Sequence, residues 1–91
     1  MTVYNYLSSM QELCFRATMA LNALGKLGMA DFYSAAENGF FSKLDGIPVE
    51  EAKQNINQSQ IDQYLVTKEF VEQKEREAAE QLRAEQEAKH E

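Results

Sequence analysis

VYNYLSSMQELCFRATMALNAL, from Val3 to Leu24, decides how the rest of the chain is read. Val3, Leu7, Met10, Cys14, Ala17, Leu21 and Leu24 are spaced alternately by four and three, a heptad seam held through three repeats. Thr2 precedes it and suits an N-cap, because its hydroxyl can accept from a free amide of the first turn. Tyr6, Leu13, Ala20 and Leu27 recur every seven residues and widen the stripe on one side, while Phe15 and Met19, four apart, lie off it. A helix that is apolar on more than one face needs cover on more than one face. A chain of 91 residues is marginal as a single small domain, so part of that cover is expected from a second copy.

Beyond the seam, Gly25 and Gly28 weaken the helix, which is expected to end between Leu24 and Gly28. Asp31 then reads as the cap of a short second helix, 32–38, closed by Gly39. Phe32, Tyr33, Phe40 and Phe41 gather four of the nine aromatics in ten residues, a segment expected to plug across the long helices. Asp45-Gly46 signals a turn, and Pro48 with Glu50 and Glu51 signals a helix start. A break is expected at 57–59, where Ser59 and Asp62 can open a fresh helix; one unbroken helix from Pro48 is the alternative. Ile61, Tyr64, Leu65, Phe70 and Val71 carry the last apolar stripe, and Leu82 is the only large apolar residue after it.

The expected fold is therefore all-α: a long N-terminal helix, a short aromatic second helix and a long acidic C-terminal helix, completed by dimerisation. Residues 1–71 form the expected core, and 72–91 a solvated helix that frays toward its end. Glu72 and Arg76 support it as an i,i+4 pair.

Composition narrows the function classes. Net charge is -6, and it is lopsided: residues 1–48 carry three basic and four acidic groups, whereas the remainder carries six and eleven. Phosphate backbones and anionic lipid repel such a chain, so no direct nucleic-acid or membrane partner is expected, while a basic protein is attracted. A single cysteine, no basic leader and no apolar run near 20 residues point to the cytoplasm.

Catalytic chemistry finds no foothold. The lone histidine, His90, sits next to the end, so no pre-organised base stands beside a thiol or hydroxyl, and Cys14 reads as a small hydrophobe on the seam. The many glutamates, among them Glu50, Glu51, Glu69, Glu72 and Glu80, fall on faces expected to meet water, without the dry pocket a general acid requires. No CxxC, HExxH, EF-hand loop or glycine-rich phosphate loop occurs, so neither metal nor cofactor is expected. Two surfaces remain as partner sites. One is aromatic, with Phe15, Met19, Phe32, Tyr33, Phe40 and Phe41 together with Tyr4 and Tyr6; the other is the acidic helix, with Glu69, Glu72 and Glu80.

The opening MTVYNYL, the string FYSAA at 32–36, and Lys43-Leu44 followed by Ile47-Pro48 resemble the Hha/YmoA family of small helical modulators. Members of that family bind the nucleoid protein H-NS, so the resemblance implies an adaptor that reaches DNA through another protein. It covers about the first half of the chain. Glu37-Asn38-Gly39-Phe40-Phe41 replaces the family's charged segment, the spacing to the proline is shorter, and no family residue is carried over. By composition the chain is instead expected to be a non-enzymatic protein-binding module, of the small acidic phage or mobile-element type that inhibits a host protein, as anti-CRISPRs do. A helical structural or chaperone subunit is the third expectation.

Overall fold

The computed structural model describes residues 1–89 and is all-α: α1 (Val3–Ala23), α2 (Leu27–Leu44), α3 (Val49–Ala52) and α4 (Gln58–Lys89). His90 and Glu91, at the end expected to fray, lie outside the described residues. Thr2 caps α1 as expected, its Oγ1 accepting from the Asn5 amide at 3.2 Å.

α1 is the centre of the molecule. Its seam residues Leu7, Met10, Cys14, Ala17 and Leu21 are buried, and so are Tyr6, Leu13 and Ala20 of the flanking row. Val3 and Leu24, at the ends of the seam, are half-buried. Two rows are covered because two helices of the same chain flank α1, α2 on one side and α4 on the other. The pairs Tyr6–Gln63 and Arg16–Glu75 rise together in number, so α4 runs parallel to α1, whereas α2 returns antiparallel through a tight loop.

That loop is a Schellman closure. Gly25 takes φ +74, its amide reaches the Asn22 carbonyl at 3.0 Å, and the Lys26 amide reaches the Leu21 carbonyl at 2.9 Å. Leu27, read above as part of the widened stripe, is therefore exposed at the start of the next helix.

α2 corrects the short helix expected at 32–38. It runs for 18 residues, with Lys26 rather than Asp31 at its cap position and Gly28 and Gly39 inside it. The reason is tertiary. Ala30, Tyr33, Glu37, Phe40 and Leu44 repeat the four–three spacing and are the positions that α2 turns toward α1, so unbroken helix is needed to bury them together. Each interior glycine costs about 1 kcal/mol, less than the packing it accompanies. The left-handed glycine that follows α2 is Gly46, at φ +80, one residue past the Asp45 cap. Gly39 has no positive φ, and a methyl group there would meet open space. Gly39→Ala should thus raise stability by about 0.5–1 kcal/mol, seen as a melting temperature higher by several degrees. An unchanged or lower value would mean that the helix is not formed there.

The chain between α2 and α4 also differs from expectation. Pro48 holds the cap position of α3 with φ -60 and ψ 140, and α3 lasts four residues, which removes the alternative of one unbroken helix. Residues 54–56 instead run along the N-terminus: the Val3 amide donates to the Gln54 carbonyl at 2.8 Å, the Ile56 amide to the Met1 carbonyl at 3.0 Å, and Thr2 and Asn55 form an isolated antiparallel bridge. Ile56 is thereby buried under the start of α1. The cap of α4 falls two residues before Ser59, within the expected 57–59, because Asn57 caps the helix reciprocally. Its Oδ1 accepts from the Gln60 amide at 2.9 Å, and its own amide donates to Gln60 Oε1 at 3.0 Å.

Along α4, Ile61, Tyr64, Phe70 and Val71 pack on the core, but Leu65 is exposed. Half-buried positions continue to Ala78, and 79–88 are all exposed, Leu82 included. At 32 residues against 21, α4 outruns α1 and gives the molecule its 59 × 21 × 18 Å extent.

Candidate functional site: an aromatic cleft between two helices

α2 and α4 both lean on α1 but not on each other. No α-carbon of one comes within 8 Å of an α-carbon of the other. The gap between them is bridged by side chains. Tyr33 of α2 stacks on Phe70 of α4 with ring centroids 5.5 Å apart and planes 19° from parallel, and Phe32 meets Tyr33 edge-on at 5.2 Å. Nearer the start of α1, Tyr6 and Phe40 meet edge-to-face at 6.3 Å. A lysine sits over each ladder: Lys74 Nζ lies 5.5 Å from the Phe70 ring centre, and Lys43 Nζ 5.8 Å from that of Phe40.

At the Phe40 end the gap opens into a cleft of about 660 Å³, walled by Val3, Leu7, Ile47 and Pro48 and given polar groups by Gln60 and Glu51. The Tyr6 hydroxyl donates to Gln63 Oε1 at 3.0 Å across its floor. Burial pushes the phenols of Tyr6 and Tyr33 and the thiol of Cys14 above their ordinary values, with Glu37 adding to the effect on Cys14. These groups stay neutral and serve as cleft wall and core, not as nucleophiles at neutral pH. Among the described residues, no group of three or more histidine, cysteine or acidic side chains is placed to hold a metal ion.

No protein-family model, curated protein or solved structure matches this chain, so the chemistry of the site has to be read from its own residues.

The aromatic cluster of the sequence is thus divided by the helix. Phe40 is a half-buried cleft residue and Tyr33 is half-buried in the stack on Phe70, while Phe32 and Phe41 are 67% and 54% exposed. Nine residues, about two and a half turns, separate Phe32 from Phe41, which puts them on opposite flanks of α2, with only Phe32 in the aromatic stack. Phe15 and Met19 are exposed on α1, away from the cleft. Glu69 and Glu80 are exposed, and Glu72 is half-buried beside Arg16. Of the aromatic surface read from sequence, Tyr6 lines the cleft and Tyr4 is exposed, whereas Phe70, Lys43 and Lys74 had not been named as site residues. The available signal was Phe40 with Lys43 and Phe70 with Lys74, aromatic–cation pairs at helical spacing.

On the far side of α1 and α4, Arg16 grips Glu75 in a forked pair, Nη2 to Oε1 at 2.6 Å and Nε to Oε2 at 3.0 Å. The bond from Arg16 holds the Glu75 carboxyl below its ordinary 4.5, with burial opposing. Its folded value being depressed, Glu75 contributes stability above the unfolded value that is lost as pH falls through the folded one. Unfolding in urea at pH 7 and pH 3 should therefore show a smaller acid loss in Glu75→Gln than in the parent. Equal losses would show that the pair does not hold α4 to α1. Both side chains are more than a third exposed, so the effect is modest.

Proposed function

We propose that this chain is a protein-binding module that takes its partner over the gap between α2 and α4, on the aromatic stack beside the cleft. The observation that carries the reading is the Phe32–Tyr33–Phe70 stack. It spans a gap that the helices leave open, and its outer ring, Phe32, is two-thirds exposed. A large ring held by a neighbour but not covered has already lost much of its freedom, so covering it gains apolar burial at low entropic cost. α4 adds long-range attraction: its exposed overhang carries Glu80, Glu85 and Glu87 against Arg83. Such a field speeds encounter with a basic surface, and nucleic-acid enzymes carry basic surfaces. Occupying one blocks it, which is the action of a phage- or mobile-element-type inhibitor of a host protein.

The test uses immobilised parent chain and Phe32→Glu on bacterial lysate, with the helicity of both checked first. Proteins held by the parent and lost from the variant support the cleft; the same proteins on both would rule it out. A retained nuclease or other nucleic-acid enzyme favours the inhibitor, whereas a retained nucleoid protein favours the adaptor that the Hha/YmoA likeness implies. Bound protein should survive high salt while its association slows, because apolar insertion is unscreened and charge steering is not.

A further inference from the structure

Behind α1 and α4, on the side that carries no residue of α2, lies a second surface. A shallow groove of about 260 Å³ runs between the two helices, floored by Ala20, Ala23 and Ala78 and edged by Phe15 and Met19. Past Ala23 and Ala78, which line both, it continues into a depression of about 220 Å³ ending at Leu82. Phe15 is 50% exposed, Met19 59% and Leu82 57%. The groove therefore combines a floor of small residues with three large apolar side chains standing beside it.

We infer that this groove is the contact surface of a two-fold homodimer, each copy laying Met19 and Leu82 onto the alanine floor of the other. Three observations single out a second copy as the occupant. The patch is self-complementary: it carries knob and hole of the same chemistry, which an isologous contact needs and a one-sided partner site does not. It is also close to neutral in a chain of charge -6, since Arg16 is neutralised by Glu75 and only Glu85 at its far end lacks a counterion in the lining. Two acidic chains can meet here without opposing like charges across the centre.

The third observation is area. A compact monomer of 10.4 kDa is expected to expose about 5,400 Å². This chain exposes 6264 Å². The excess, roughly 900 Å², is spread over an elongated chain whose 79–88 overhang is exposed, and it leaves room for the roughly 800 Å² that one partner buries in a standard-sized interface. The dimer goes beyond the proposed function and leaves the aromatic cleft free. Glu75, which edges the groove, and Phe70, which stacks on Tyr33 across the gap, stand five residues apart, about 140° around α4. A two-fold pair accordingly presents two clefts and can bridge two partners or two sites on one.

The experiment is light scattering on the full chain across a dilution series from about 100 μM, a range in which modest dimers dissociate. The parent should weigh about twice its 10.4 kDa chain mass at the top of the series. Met19→Asp and, independently, Leu82→Asp should halve that mass with helicity unchanged, because both side chains are largely exposed in the single chain. Phe41→Asp, on α2, should leave it doubled. A monomeric parent overturns the proposal, and so does a doubled mass that survives both groove variants. Neither result bears on the cleft, which is read separately through Phe32→Glu.

Discussion

Leu21→Asp should abolish folding. Leu21 is at 0% exposure, among the largest fully buried side chains, and lies on the α1 seam in the turn whose carbonyl also closes the helix onto Lys26. A carboxylate placed there finds no cation: among the described residues none that is buried is charged or polar, and Arg16, the one basic residue of α1, is already engaged with Glu75. An unpaired buried charge costs several kcal/mol, while a 91-residue domain holds about 5–14 kcal/mol in total. The milder Leu21→Ala should cost about 2–5 kcal/mol by leaving a cavity. Circular dichroism and urea unfolding give the readout. A cooperative melt for Leu21→Asp close to the parent's would mean that α1 does not bury its seam inside the chain.

The second large effect belongs to α4. Val71 is the one α4 residue, among those described, that is wholly buried, and with Ile61, Tyr64 and Phe70 it fastens the helix to α1. Val71→Asp should release α4 and with it the Tyr33–Phe70 stack. α1 and α2 would then expose Tyr6, Leu13 and Ala20, and two helices of this length are poor at standing alone. Val71→Ala should cost about 2 kcal/mol, from two methyl groups and the cavity they leave. Leu82→Ala provides the contrast. It lies eleven residues on, within about 20° of the same face, yet level with Ala23, the last residue of α1, and 57% exposed, and should change stability by less than about 0.5 kcal/mol in protein dilute enough to be monomeric. Equal costs at the two positions would place the end of the core beyond Leu82.

The two results bear on function. The cleft exists because α4 is held to α1 and not to α2. Its fastening is short: one fully buried valine, a few half-buried apolar residues and the Arg16–Glu75 fork. A partner that fills the cleft adds to that fastening and should raise the melting temperature of the complex.

Much of this architecture was legible in the chain. The four–three spacing from Val3 to Leu24, the Thr2 cap and the acid- and alanine-rich run after Val71 dictate helix by local rules, and the extra row at Tyr6, Leu13 and Ala20 announces a second neighbour for α1. Local chemistry also marks a break before α4, since Asn57 and Gln60 are a reciprocal cap in the sequence itself. What local rules misplaced was α2. Glycine weakens an isolated helix, so Gly28 and Gly39 read as boundaries; packing of Tyr33, Phe40 and Leu44 on α1 outweighs that penalty.

Where the sites lie depended on tertiary structure alone. Phe32 and Phe41 are alike in sequence context, and nothing in their neighbours says that one stands at the cleft and the other on the opposite flank. Tyr33 and Phe70 are far apart in the chain and meet only because α2 runs antiparallel and α4 parallel to α1. Periodicity fixes which face of each helix is apolar, because it depends on residues a turn apart. The gap between two such faces depends on how three helices share one set of side chains, and that is settled only when they pack.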